Sequence, residues 1–115
     1  MKRTIITYGG YFEEFISILS EKERIKVDYL LTLLRSQDSL PVKIIKLIRE
    51  SVYELRIEYN SNIYKIFFIF DNDKIVVLFN GFQKKTQKTP QNEIEKAIKI
   101  KNEYYEYKRQ QNKEL

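Results

Sequence analysis

The chain has 115 residues, a formal net charge of +5 and an apolar fraction of 43%, which describes one folded basic domain over 1–115 rather than a disordered tail or two domains. Its partner is expected to be acidic. With neither cysteine nor histidine, a disulfide framework, a thiolate nucleophile, a Cys-based zinc site and the usual general base are excluded, so any catalysis must run on Lys, Arg, Tyr or carboxylates.

Ile5 to Tyr8 is rich in strand formers and stops at Gly9-Gly10, a backbone-permissive pair that marks a turn. Phe12, Phe15, Ile16 and Leu19 then fall at helical spacing, and Ser20-Glu21-Lys22-Glu23 is a capping-box pattern that restarts the chain as a second helix. Val27, Leu30, Leu31 and Leu34 form the apolar stripe of that helix, and Asp38-Ser39-Leu40-Pro41 ends it. Val42 to Glu50 reads either as a short helix or as an extended connector.

Tyr53 to Tyr59 alternates with period two, the signature of a strand with one buried face. Asn60-Ser61-Asn62 and Asn72-Asp73 turn the chain into Ile63 to Phe70 and Ile75 to Phe82, which predicts an antiparallel meander. With Ser61-Asn62 and Asn72-Asp73 as the central turn pairs, one face collects Tyr53, Leu55, Ile57, Tyr59, Tyr64, Ile66, Phe68, Phe70, Ile75, Val77 and Phe79, and should pack on the first two helices. The opposite face carries Arg56, Lys65, Asn80 and Phe82 among apolar residues, with Glu58 opposite Lys65. This reading depends on register, because a slip of one residue sends every side chain of a strand to the other face.

Phe82-Gln83-Lys84-Lys85-Thr86-Gln87-Lys88-Thr89-Pro90 closes the apolar run with three lysines, two threonines and two glutamines. Ammonium groups supply charge while hydroxyl and amide groups supply directional hydrogen bonds, which suits a phosphate-handling surface. Thr89-Pro90 starts the last helix, expected from Pro90 to about Lys108 with 110–115 frayed. Ile94, Ala97, Ile98, Lys101, Tyr104 and Tyr105 form its broad packing side. The expected fold class is α+β, an antiparallel meander sheet with two N-terminal helices on one face and a C-terminal helix near the other. No run approaches ~20 uninterrupted apolar residues, so a cytoplasmic protein without a membrane span is expected. Asp71 and Asp73 belong to a tight turn with no accompanying carboxylate cluster, so neither a metal nor a cofactor is expected.

Tyr53-Glu54-Leu55-Arg56-Ile57, Tyr64-Lys65-Ile66-Phe67-Phe68, and above all Phe82-Gln83-Lys84-Lys85-Thr86-Gln87-Lys88-Thr89-Pro90 followed by Glu93-Ile94 and Ala97 resemble the HigB group of bacterial toxins, in the RelE/ParE-like toxin superfamily. The resemblance covers nearly the whole chain in element order and is strongest from Tyr53 to Tyr105. It implies a RelE-like fold and the toxin of a type II toxin-antitoxin pair, an endoribonuclease that cleaves messenger RNA on the ribosome. It also implies a cognate antitoxin, commonly a helix-turn-helix, HigA-like protein. The family's functional positions match Arg56, Lys65, Phe82, Lys84, Lys85 and Lys88. Where these toxins commonly have arginine, this chain has Lys65, which keeps the charge but gives up the planar fork that grips a phosphate. Lys65 is then either a phosphate clamp or a partner for Glu58.

RNA can be cleaved without a metal when its own 2′-hydroxyl attacks the adjacent phosphorus. Arg56 is assigned to stabilise the charge on the phosphorane. Lys84 and Lys85 are the other catalytic candidates, as base, acid or electrostatic stabilisers. Lys65, Phe82, Thr86 and Lys88 are the expected RNA-binding residues, Phe82 by base stacking and Lys88 by a backbone contact. Two alternatives stand beside this reading. One is a gyrase-poisoning, ParE-like toxin, for which Arg56 and Lys84 would be dispensable. The other is a non-catalytic RNA-binding accessory protein.

Overall fold

The computed structural model describes residues 2–85 and 89–113. Its elements run β1 (Thr4–Thr7), α1 (Tyr11–Ser17), α2 (Glu21–Ser36), β2 (Ile45–Arg49), β3 (Val52–Tyr59), β4 (Asn62–Asp71), β5 (Ile75–Lys84) and α3 (Gln91–Lys113). The five strands form one sheet in the order β1-β5-β4-β3-β2, with β1 parallel to β5 and the other pairs antiparallel. The α+β class, the two N-terminal helices and the C-terminal helix are therefore as expected.

Local signals account for the helical hairpin. Gly9 and Gly10 turn the chain at φ of 76° and 79°, a region open to glycine without steric cost. A Cβ on Gly9 would also lie 2.5 Å from the Tyr11 ring. Ser20 caps α2 with both halves of the capping box: its hydroxyl accepts from the Glu23 amide, and the Glu23 carboxylate accepts from the Ser20 amide at 2.8 Å. Val27, Leu30 and Leu34 then face the sheet.

The segment from Val42 to Glu50 resolves into the edge strand β2, paired with β3 so that Lys46 lies opposite Glu54 and Leu47 opposite Tyr53. The last helix runs past Lys108 to Lys113.

Two cores flank the sheet. Phe15, Leu19, Val27, Leu30 and Leu34 pack on Leu55, Ile57, Tyr64, Ile66, Phe68, Val76 and Leu78. On the other face Val52, Phe67, Ile69, Val77 and Phe79 meet Ile94, Ala97, Ile100 and Tyr104 of α3. At the far end of β4, buried Asp71 accepts hydrogen bonds from Tyr104 at 2.5 Å and from Lys108 at 2.6 Å, latching α3 to the sheet. Burial alone would raise the Asp71 carboxyl, but those two donors outweigh it and hold it below its usual value.

The hairpin registers correct the expected pairing. In the first hairpin Asn60 and Ser61, with φ of 49° and 67°, are the central pair, and Tyr59 faces Asn62. Both strands keep their expected faces, but Lys65 stands opposite Arg56, and Glu58 stands opposite Ile63. The second hairpin has three loop residues, because Asp71 pairs with Ile75. That one-residue slip reverses the start of β5. Val76 and Leu78 face α1 and α2, whereas Ile75, Val77 and Phe79, expected on that side, face α3. A bulge then shifts the pairing by one residue more, which restores the expected faces but not the expected partners. Between the Phe68–Leu78 and Ile66–Gly81 pairs, Phe79 and Asn80 together stand opposite Phe67. Lys65 consequently pairs with Phe82, and Ile63 with Lys84. Gly81 lies under α1, where a Cβ would come within 2.6 Å of the Phe15 ring.

One tie between α2 and the sheet makes stability depend on pH. The Tyr64 hydroxyl donates to the Glu23 carboxylate. This bond, with burial second, pushes the Tyr64 phenol up to about 12, and it is the main cause lowering the Glu23 carboxyl. Glu23 therefore contributes stability that is complete above its unfolded value and lost as pH falls through its lower folded value. Tyr64 contributes stability that is present below its unfolded value and lost as pH rises towards about 12. Tyr64→Phe is expected to cost about 1 kcal/mol at neutral pH. In urea unfolding curves, the gap between native and variant should shrink on both the acid and the alkaline side. A gap independent of pH would show that the bond contributes nothing.

Candidate active site

Among the described residues, α3 covers only part of its face of the sheet. Helix α3 packs over Val52, Phe67, Ile69, Val77 and Phe79, while the same face continues past its start through Lys65, Arg56, Phe82 and Lys84. Alternation and the bulge bring these side chains together, since Arg56, Lys65 and Phe82 are successive cross-strand partners and Lys84 pairs with Ile63 one step beyond Lys65. The result is a groove of two adjoining depressions. One, of about 390 Å³, is lined by Lys46, Glu54, Lys65, Lys84, Thr89 and Ile94 among others. The second, of about 290 Å³, shares Lys46, Glu54 and Lys65 and continues to Lys43 and Arg56.

Its polar centre is an ion pair between Lys65 and Glu54, whose residues are only 8% and 4% exposed. The Lys65 ammonium also donates to the Thr89 hydroxyl at 3.1 Å, joining the segment before α3 to the centre of the sheet. Thr89 was expected as a helix cap. Here its hydroxyl serves Lys65, and the Pro90 carbonyl accepts from the Glu93 and Ile94 amides. Arg56 is half-buried and pairs with the exposed Glu58 at 3.0 Å. Lys65 is thus not the partner of Glu58 but of Glu54, because the hairpin turn lies one position earlier than expected.

Phe82 stacks on Phe67 with ring centroids 5.7 Å apart and remains half-buried, a packing residue that lies beside Lys65 on the same sheet face without lining either depression. Lys84 lines the groove, and Lys85 is exposed just beyond β5. Thr86 and Lys88 lie outside the described residues. Asn80 reaches the expected face but is sealed beneath α3, 2% exposed, with its amide donating to the Glu93 carbonyl and carboxylate.

Lys43, Lys46 and Glu54 were not singled out from the sequence. Lys43 and Lys46 both sit in the segment from Val42 to Glu50, which has no clear period. In the sequence Glu54 is one of three alternating charges, with Arg56 and Glu58, on one face of β3, and only the register sets it opposite Phe67 and buries it. Among the described residues, no group of three or more metal-capable side chains is found, and no helix is long and apolar enough to cross a membrane.

Fold and groove define a small basic α+β protein with a cationic cleft beside the start of its last helix. The family model described as phage derived protein Gp49-like (DUF891) matches residues 14–102, and the chain belongs to that family. It is a RelE/HigB-like toxin family of toxin-antitoxin systems, which suggests an antitoxin as partner. No curated protein matches the chain.

Proposed function

We propose that this protein is the toxin of a type II toxin-antitoxin pair and a metal-independent, HigB-like endoribonuclease acting in the cytoplasm on ribosome-bound messenger RNA. The observation that carries this reading is the uncovered groove, where Arg56, Lys65, Lys84 and the Phe82 ring share one sheet face. A single RNA strand fits such a surface, because cations meet its phosphates and an aromatic ring meets an unstacked base. Arg56 stabilises the negative charge that builds on the phosphorus. Lys84 and Lys85 add charge at the mouth and supply a proton to the departing 5′-oxygen. Lys65, Thr86 and Lys88 hold the strand. A helix-turn-helix, HigA-like antitoxin is the proposed cellular partner.

The test is inducible expression in bacteria of the native chain and of Arg56→Ala/Lys84→Ala/Lys85→Ala, with growth followed and RNA 5′ ends mapped. The native chain should arrest growth and create new ends inside translated messages, and the folded triple variant should do neither. Arrest with DNA damage and intact messages would instead establish a gyrase poison. Salt-sensitive RNA binding without cleavage would establish an accessory binding protein.

A further inference from the structure

Glu54 is the only carboxylate among the described residues lining the two depressions, and it is 4% exposed. Lys46 of β2 and Phe67 of β4 stand opposite it, and Arg56 lies two residues along the same face. Lys84 of β5, Thr89 and Ile94 of α3 complete the wall, while Glu93 is turned to Asn80. An apolar pair in place of a buried ion pair is often neutral or stabilising, and the adjoining part of this face under α3 is apolar. Stability therefore does not account for an acid here. Lys65 occupies the Glu54 Oε1. A carboxylate has about four acceptor sites, and Oε2 has no hydrogen-bond donor among the described residues.

We infer that Glu54 is the proton acceptor of the cleavage reaction, with Lys65 as the positioning residue that holds its carboxylate in the groove. The assignment rests on the nuclease reading and gives the base role to Glu54 rather than to Lys84 or Lys85. The Glu54 carboxylate takes the proton of the 2′-hydroxyl, and the 2′-oxygen bonds to phosphorus. The bond from phosphorus to the 5′-oxygen breaks with its electron pair, and that oxygen takes a proton from the Lys84 ammonium. The products are a 2′,3′-cyclic phosphate and a 5′-hydroxyl end.

The experiment is single-turnover cleavage of messenger RNA in preformed ribosome complexes by the native protein, Glu54→Gln and Glu54→Ala. Binding is measured on the same message with a 2′-deoxy residue at the cut site. Glu54→Gln should slow cleavage on the order of 10²–10⁴-fold while binding the deoxy message as the native protein does. Added formate should restore part of the rate to Glu54→Ala and none to Glu54→Gln. A folded Glu54→Gln protein cleaving at the native rate overturns the assignment, as does a rate loss matched by an equal loss of binding. Should Glu54→Gln not fold, Glu54→Asp, which keeps the charge facing Lys65 but draws the carboxylate back from the groove by one methylene, takes its place under the same criteria. Failure of the native protein itself to cut would remove the nuclease reading and the base together. Native cutting unaffected by loss of the carboxylate would remove only the base.

Discussion

Lys65→Met is expected to lower the unfolding free energy by about 3–5 kcal/mol. The substitution conserves much of the side-chain volume, so cavity formation contributes little. The cost comes from Glu54, 4% exposed, which is left as a buried carboxylate without its cation. Thr89 loses its donor as well, so the segment leading into α3 is released from β4. The partner substitution separates these contributions. In Glu54→Gln/Lys65→Met no charge remains to be buried, and much of the lost stability should return. Urea unfolding of the native protein, both single variants and the double variant gives the coupling energy directly. A cost below about 1 kcal/mol for Lys65→Met, the range of an exposed pair, would mean that the pair is solvated rather than buried in the groove floor.

Phe67→Ala carries the second large effect, a loss of about 3–5 kcal/mol typical of emptying a fully buried aromatic site. Phe67 is 0% exposed, supports the Phe82 ring at 5.7 Å, and faces the two bulged residues Phe79 and Asn80. Its removal is expected both to destabilise the core under α3 and to loosen the bulge that returns Phe82 and Lys84 to the groove face. Thermal unfolding should shift strongly downward. Hydrogen exchange should rise in the second half of β5 more than in β1, which pairs with the first half. Uniform acceleration along β5 would show that the bulge does not depend on the Phe67 ring.

The helical hairpin was legible because its signals are local. Ser20 and Glu23 satisfy each other's amides within one turn, and Val27, Leu30 and Leu34 mark one side of a helix by spacing alone. The alternation of β3 likewise placed Leu55 and Ile57 inward and Arg56 on the other face. By contrast, β2 was not legible: Ile45 to Arg49 is a short edge strand with no strict period, and it becomes a strand by pairing with β3. The loop residues Thr86 and Lys88, expected to bind RNA from the loop's composition and, for Lys88, from the resemblance, lie outside the described residues.

The groove divides in the same way. Arg56, Lys65, Phe82 and Lys84 were identifiable as a basic and aromatic set, and the family match supports the toxin class to which they point. Their partners were not identifiable. A turn one position earlier exchanged Glu58 for Arg56 opposite Lys65, a three-residue loop reversed the start of β5, and a bulge reversed it back.

The sequence by itself determined the element types other than β2, the two-sided apolar pattern of the sheet and the clustering of cations at the end of β5, because these follow from backbone propensity and side-chain spacing over a few residues. Only the tertiary structure decided that Glu54 and Lys65 form a buried pair, that Thr89 joins them, and that α3 covers Asn80 while leaving Arg56 and Lys84 open. Those outcomes rest on cross-strand register and helix docking, where one loop residue moves a side chain to the opposite face of the sheet and no local pattern records the shift.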